Sequence, residues 1–372
     1  MFRLLSRIVG ARKRVGLTPA DVVHEENKWR LLRYRPRPEG RAFATPILMV
    51  PSLINRHYVL DLMPGKSFVE WLVARGHDVF VIDWGTASDE DRYVTFDDIC
   101  DRAIGRALRV ATAKAGAEKA HLLGYCLGGT LAAIHAAVRP DRIATLTLLA
   151  APVAFTHDDG LLSRWTRTGS FDLDALVEAT GNVPWPLLQA SFHLLRPTMN
   201  LAKLVGVIDR YWDDEFLDGF FALETWSNDN VSFPGEAYRT YIRGLYRDDG
   251  LVQKTFTLSG ERVDLGRITC PAHVVTFEHD SIVPRTSAAP ASEMLRSEDL
   301  VSLHQPGGHV GAVVSRKAAS RLWPALASFW EARMAGASSQ DVTRESRREM
   351  PGRYASAGGV AVNPGVPRRP GA

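Results

Sequence analysis

The chain has 372 residues, 45% hydrophobic and 23% charged, enough to bury a sizeable core in one large domain or two. A formal charge of +3 is too weak to argue for nucleic acid, so no nucleic-acid partner is expected, and no apolar run reaches the ~18 residues of a membrane helix. Three cysteines, Cys100, Cys126 and Cys270, are too few for a disulfide framework, lack metal-ligand spacing, and fit a reducing cytoplasm.

Basic residues gather at both ends. Residues 1–16 carry Arg3, Arg7, Arg12, Lys13 and Arg14, and the opening Met1–Gly10 is too short and too interrupted by arginine for a secretory signal. It reads as a frayed terminus or as an amphipathic helix that touches a partner or an apolar surface. From there, strands are expected at Trp29–Tyr34, Thr45–Val50, Asp78–Asp83, Ala120–Gly124, Ala144–Leu149, Ala272–Phe277 and Leu300–His304. Helices are expected over Ser67–Arg75, Phe96–Ala115, Gly129–Val138, Thr286–Leu295 and Ser315–Met334. Strands alternating with helices make an α/β protein with a mostly parallel sheet, its core in residues 17–151 and 268–334.

The interval 152–267, after the fifth expected strand, breaks this alternation. It is irregular and aromatic, with Trp165, Trp185, Trp212 and Trp226, and shows helical periodicity rather than strands. An insertion there lies over the carboxyl edge of the sheet, so a helical cap (lid) is expected. Residues 335–372 hold Arg344, Arg347, Arg348, Arg353, Arg368 and Arg369 among Ser, Gly and Pro, and a disordered tail is expected.

Gly124-Tyr125-Cys126-Leu127-Gly128-Gly129 reads as a nucleophile elbow with cysteine in the place usually held by serine. A buried strand precedes it and a small-residue helix follows. The glycines allow strand and helix to approach closely, and the helix N-terminus favours thiolate over thiol. A buried cysteine in a Gly-rich turn is the competing reading. A cysteine nucleophile needs a base and a carboxylate that orients it, in the chain order nucleophile, acid, histidine. Asp280 follows the strand ending at Phe277, and His309 follows the last strand in Pro306-Gly307-Gly308-His309-Val310-Gly311. His279 and His304 lack the glycine-framed loop that would free them to reach Cys126. Backbone N–H donors for an oxyanion are expected from Leu127 and, in the loop Pro51–Arg56, from Leu53 or Ile54.

These residues resemble the polyhydroxyalkanoate synthases, within the α/β-hydrolase fold. The box Gly124-Tyr-Cys126-Leu-Gly128-Gly129 is similar to their lipase-like box, Gly-x-Cys-x-Gly-Gly. Further similar stretches are Pro51–Leu62, Asp78–Gly85 with its Asp83-Trp84-Gly85 run, Trp226–Glu236, Asp280–Pro284 and Pro306–His309, across about residues 17 to 333. An ordinary esterase would share the catalytic residues but not the Trp226–Glu236 stretch or the Asp-Trp-Gly run. His57 and Ser281 depart from the pattern.

The resemblance implies that Cys126 takes an (R)-3-hydroxyacyl group from coenzyme A as a thioester and hands it to a hydroxyl oxygen, extending a polyester. His309 would be the general base and Asp280 the residue that orients it. The length resembles the short type of synthase, which works with a second, different subunit. The family pattern also implies a homodimer and a cytoplasmic place at polyester granules. No metal site is legible; the coenzyme A thioester is substrate, so no cofactor is expected. A cysteine-dependent thioesterase or ester hydrolase would use the same three residues with water as acceptor. A non-catalytic granule-surface subunit would need none of them.

Overall fold

Runs of Val, Ile, Leu and Phe without polar alternation form stable strands only where both faces of a sheet are covered. In the computed structural model, which describes residues 14–156, 161–167, 171–195 and 206–334, such runs make the centre of the sheet. The strands in chain order are Ala20–Glu26 (β1), Trp29–Tyr34 (β2), Ile47–Val50 (β3), Val79–Asp83 (β4), Ala120–Tyr125 (β5), Ile143–Leu149 (β6), Thr257–Leu258 (β7), Glu261–Arg262 (β8), Ala272–Phe277 (β9) and Leu300–Gln305 (β10). Eight of them form one sheet in the order β1-β2-β4-β3-β5-β6-β9-β10. β1 and β2 are antiparallel to their neighbours, and from β4 to β10 every pairing is parallel. β3, β4, β5 and β9 are buried at every position.

Helices cover both faces. Ile104–Ala115 buries Ile104, Ala107, Leu108, Ala111, Thr112 and Ala115, one face at intervals of three and four, and stops at Gly116, whose φ of 69° suits a residue without Cβ. Leu127–Val138 is buried at all its positions, as its Ala-, Gly- and Leu-rich sequence requires. On the opposite face Phe68 stacks on Trp323 and meets Trp330 at a tilt, with ring centroids 5.5 and 6.3 Å away.

The chain runs from β3 to β4 on one side and returns to β5 on the other. The carboxyl ends of β3 and β5 therefore flank a topological switch point, the place where open α/β sheets form sites.

The expected strands and most expected helices are present, and four differences have physical causes. β1 is an additional strand: its Ala-Asp-Val-Val-His-Glu-Glu sequence alternates poorly because it is an exposed edge held by its antiparallel pairing with β2. The stretch expected as one helix over Thr286–Leu295 is two short ones, Arg285–Ala288 and Ala291–Met294, because Pro290 has no N–H to continue the ladder. The helix expected over Ser315–Met334 widens at Ala318–Leu322, where Pro324 leaves a backbone carbonyl one turn earlier without its donor. The 152–267 interval follows the sixth strand, not the fifth. Its described part holds the helices Leu161–Arg167, Leu173–Thr180, Trp185–Leu195, Asp214–Asn228 and Gly235–Thr240, and also the small β7–β8 hairpin.

The 335–372 tail and the first thirteen residues of the basic segment lie outside the described residues. Arg14, which is described, donates to Asp218 at 2.8 Å. No helix among the described residues is long and apolar enough to cross a membrane.

Three histidines sit neutral in the core: burial lowers His121 to about 3 and His135 and His273 to about 4. His273 lies against Phe329 at 4.8 Å, and neither ring nitrogen has a hydrogen-bond partner. The unfolded chain takes up these protons below pH ~6.5 while the fold resists, so stability falls as pH drops from there toward about 4. His273→Phe removes one such group. Denaturant titrations at pH 7 and pH 5 should show the variant losing about 2 kcal/mol less than the parent between the two.

Candidate active site

β5 ends at Tyr125 and the next helix begins at Leu127, so Cys126 must reverse the chain in one residue. It does so at φ 57°, ψ −132°, a backbone that a residue with a Cβ adopts only when its surroundings enforce it. The enforcement is visible. Cys126 N–H donates to Leu149 O at 3.0 Å, and Cys126 O accepts from Gly129 N–H at 2.9 Å. Gly124 pairs with Val50 across β5 and β3. A Cβ on Gly124 would lie 2.4 Å from Gly129 Cα, and one on Gly128 only 2.1 Å from Val50 O. The elbow is thus pressed against the end of β3, and only glycine fits at those contacts.

The structure brings the three residues expected from sequence together. His309, on the loop after β10, is buried, and its Nδ1 shares a hydrogen bond of 2.6 Å with Asp280 Oδ2. Asp280 comes from the loop after β9. Its other oxygen accepts from the N–H groups of Ile282 and Val283 at 2.9 and 2.8 Å, which fixes the carboxylate plane. The Cys126 sulfur is close enough to act on the imidazole. Tyr125 stacks on the His309 ring at 5.2 Å and donates its hydroxyl to His309 O at 3.3 Å. Burial works against the imidazolium, but the negative charge of a Cys126 thiolate and the hydrogen bond to Asp280 outweigh it and raise the His309 pKa. Such a set can take a proton from sulfur, hold the resulting ion pair, and attack an acyl carbon. His279 is exposed, and His304 bonds to Thr276 at 2.8 Å, so neither joins the group.

Leu127 is the first residue of its helix, and Leu53 and Ile54 are both buried. Ile54 lines the cavity of about 70 Å³ that Cys126 and Leu127 share, and its N–H meets Ser52 Oγ only at a long 3.4 Å. Leu53 lines a neighbouring cavity of about 330 Å³ with Trp29 and Trp84. The Cys126 cavity is walled largely by the 152–267 segment, through Phe155, Trp165, Leu188, Tyr241 and Tyr246. It is apolar and aromatic, an environment that strengthens electrostatic interactions with a reacting group.

Two contributors escaped sequence reading. Tyr125 is simply the variable position of the elbow, and nothing in its spacing announces the stacking. Asp249, buried with φ 48°, accepts from Phe155 N–H at 2.9 Å and from the Thr156 hydroxyl, anchoring the chain that leaves β6 along the cavity wall. The Asp248-Asp249-Gly250 turn was its only local signal. His57 lies beside Asp83. Its Nδ1 is 3.1 Å from Asp83 Oδ1, near enough for charge attraction but off the hydrogen-bonding angle.

A mostly parallel sheet, an elbow after β5, and an acid and a histidine on later strand ends define an α/β hydrolase. The sequence matches the alpha/beta hydrolase fold over residues 45–313 and, over residues 8–72, the family described as the N-terminus of poly-beta-hydroxybutyrate polymerase (PhaC). A hydrolase from Pseudomonas aeruginosa PA01 shares the fold, at a TM-score of 0.50 and 15% identity over 85% of this chain and 99% of that one. The poly(3-hydroxyalkanoate) polymerase subunit PhaC of Haloferax mediterranei is 34% identical over 91% of this chain and 68% of its own length. The subunit of that name from Allochromatium vinosum is 34% identical over 84% of this chain and 88% of its own, and that from Synechocystis 33% identical over 85% of each. The chain belongs to the PhaC family of poly(3-hydroxyalkanoate) polymerase subunits.

The elbow contact sets a steric test. Gly128→Ala, whose methyl would meet Val50 O, is expected to cost about 3 kcal/mol or more, whereas Gly311→Ala, with no atom within 4 Å of its Cβ position, should be near neutral. Thermal melts of the two variants compare them directly.

Proposed function

We propose that this chain is an acyltransferase that polymerises (R)-3-hydroxyacyl groups from their coenzyme A thioesters. The observation that carries the reading is a cysteine at the elbow of a PhaC-family chain, lining a small apolar cavity and acting on His309, which is itself hydrogen-bonded to Asp280. Cys126 gives its proton to His309 and attacks the thioester carbonyl. The oxyanion that forms is met by the Leu127 N–H and an N–H of the Leu53–Ile54 loop. Collapse of the intermediate breaks the carbon–sulfur bond to coenzyme A, whose thiolate leaves with the proton held by His309. His309 then takes the proton of a hydroxyl group of a second acyl unit. Its oxygen attacks the Cys126 thioester, an ester forms, and the proton returns to the cysteine sulfur.

Cysteine suits this sequence because thioester-for-thioester exchange is nearly isoenergetic and leaves an intermediate reactive toward alcohols. Asp280 keeps Nδ1 protonated and the ring aimed, and stabilises the imidazolium that forms in both halves. The 152–267 segment acts as a cap, since its side chains close the cavity above Cys126. By family, the chain would work with a second, different subunit, pair with a copy of itself, and act at the surface of the polyester it makes.

Purified protein with candidate partner subunits and 3-hydroxybutyryl-coenzyme A should release coenzyme A and leave insoluble polyester. Soluble 3-hydroxybutyrate as the sole product would make the chain a thioesterase and sink the reading. Asp280→Asn should retain the fold and lower turnover by about 10³-fold or more. Cys126→Ser should lose nearly all turnover, where a hydrolase would tolerate the change better.

A further inference from the structure

Two motifs of the sequence, Asp83-Trp84-Gly85 and Trp226–Glu236, lie outside the reacting groups, yet both converge on the loop after β3. Trp84 Nε1 donates to Pro51 O at 3.0 Å, and Val231 N–H donates to Ile54 O at 3.3 Å. The peptide planes before Ser52 and after Ile54 are thereby fixed from opposite sides. The planes between them carry the N–H groups of Leu53 and Ile54, the two candidate oxyanion donors.

The 226–231 stretch grips the loop further. Trp226 Nε1 donates to Arg56 O at 2.9 Å, and Asn55 Nδ2 to Asn230 Oδ1 at 2.7 Å. Asp229 holds two side chains at once: Arg56 Nε donates to Oδ1 at 3.1 Å, and the Tyr58 hydroxyl to Oδ2 at 2.9 Å. Arg56 also reaches Gly85 O at 3.3 Å, so one guanidinium ties the two motifs together. Asp229 sits at the end of the helix Asp214–Asn228, in the segment whose other residues wall the Cys126 cavity.

We propose that Asp229 is a positioning residue for acyl transfer: through Arg56 and Tyr58 it holds the Pro51–Tyr58 loop so that its N–H faces the oxyanion formed at Cys126. Asp229 touches no reacting atom. It couples the seating of the cap to the completeness of the site, because a cap lifted away takes the clamp with it. The proposal rests on the acyl-transfer reading but not on the identity of the acceptor. An oxyanion forms whether the donor is a coenzyme A thioester or a simple activated ester.

The test is the acylation burst of the full chain with p-nitrophenyl acetate, run beside alkylation of Cys126 by iodoacetamide, which develops no oxyanion. Removing an oxyanion donor outright costs about 10²–10³-fold, so displacing one through Asp229→Ala should slow acylation by about 10–100-fold. Alkylation should stay within about twofold of the parent, and the ester concentration for half-maximal rate within about threefold. Asp229→Asn keeps Oδ1 as an acceptor for Arg56, and its amide NH2 can donate to the Tyr58 hydroxyl oxygen instead of accepting from it, so it should recover most of the rate. Tyr58→Phe deletes one hydroxyl and serves if Asp229→Ala does not fold; it should slow acylation several-fold, again sparing alkylation.

Acylation unchanged in the variants that fold overturns the proposal, as does a fall in acylation matched by an equal fall in alkylation. A burst that behaves as expected in a protein that makes no polyester from 3-hydroxybutyryl-coenzyme A would leave the proposal standing and remove the polymerase reading instead.

Discussion

The structure depends on a single steric squeeze. Cys126 is held at a positive φ between a strand and a helix that could not approach each other if Gly124 or Gly128 carried a Cβ. Everything that the site does follows from tolerating that strain. The squeeze lifts the sulfur clear of the backbone at the carboxyl edge and sets the first helical N–H beside it. It also brings the end of β3 within contact of the elbow, so that the loop leaving β3 begins next to Cys126. A fully buried strand and a helix with every position covered are what keep the turn from relaxing.

The acid and the histidine are organised by a different kind of constraint. Asp280 spends one oxygen on two backbone N–H groups of its own loop and the other on His309, leaving its carboxylate no freedom to rotate. His309 is held on three sides, by that carboxylate, by the Tyr125 ring and by the cysteine. Nearby, Asp83 works on the same principle for the neighbouring loop. Burial opposes its charge, but His57, Arg30 and the Gly85 N–H outweigh this and hold the carboxyl below its usual range. Charged groups out of water are fixed by several partners at once, which is why they serve as reference points for the loops around them.

Sequence reading recovered what periodicity and local chemistry encode. The central strands announced themselves as unbroken apolar runs, and Cys126, Asp280 and His309 could be picked because each stands beside glycines or at a strand end where a side chain is free to act. β1 was hidden because an edge strand needs no apolar face, and the Thr286–Leu295 break because Pro290 stands within an otherwise helical pattern. The roles of Tyr125, Asp229 and Asp249 were illegible for another reason, although the first two lie in stretches that the sequence marks out. Their partners lie far away in sequence: Asp229 meets Arg56 and Tyr58 across 173 and 171 positions, Tyr125 meets His309 across 184, and Asp249 meets Phe155 across 94. Spacing records what a residue does along the chain, and these act only across it. The choice between Leu53 and Ile54 was equally out of reach, since backbone donors leave no side-chain signature, and the side of the loop each residue faces is set by pins at Pro51 and Ile54.

The cavity beside Cys126, about 70 Å³, is far smaller than a coenzyme A thioester. Under the acyl-transfer reading, only the acyl end of the donor would lie in it, against a half-buried cysteine. A thioester formed there would have apolar and aromatic side chains along its walls. Its fate would then depend less on the relative reactivity of alcohol and water than on which of them those walls admit. Chain growth over hydrolysis would become a matter of occupancy, and side chains such as Phe155 and Tyr241, which take no part in bond making, would weigh on the identity of the product.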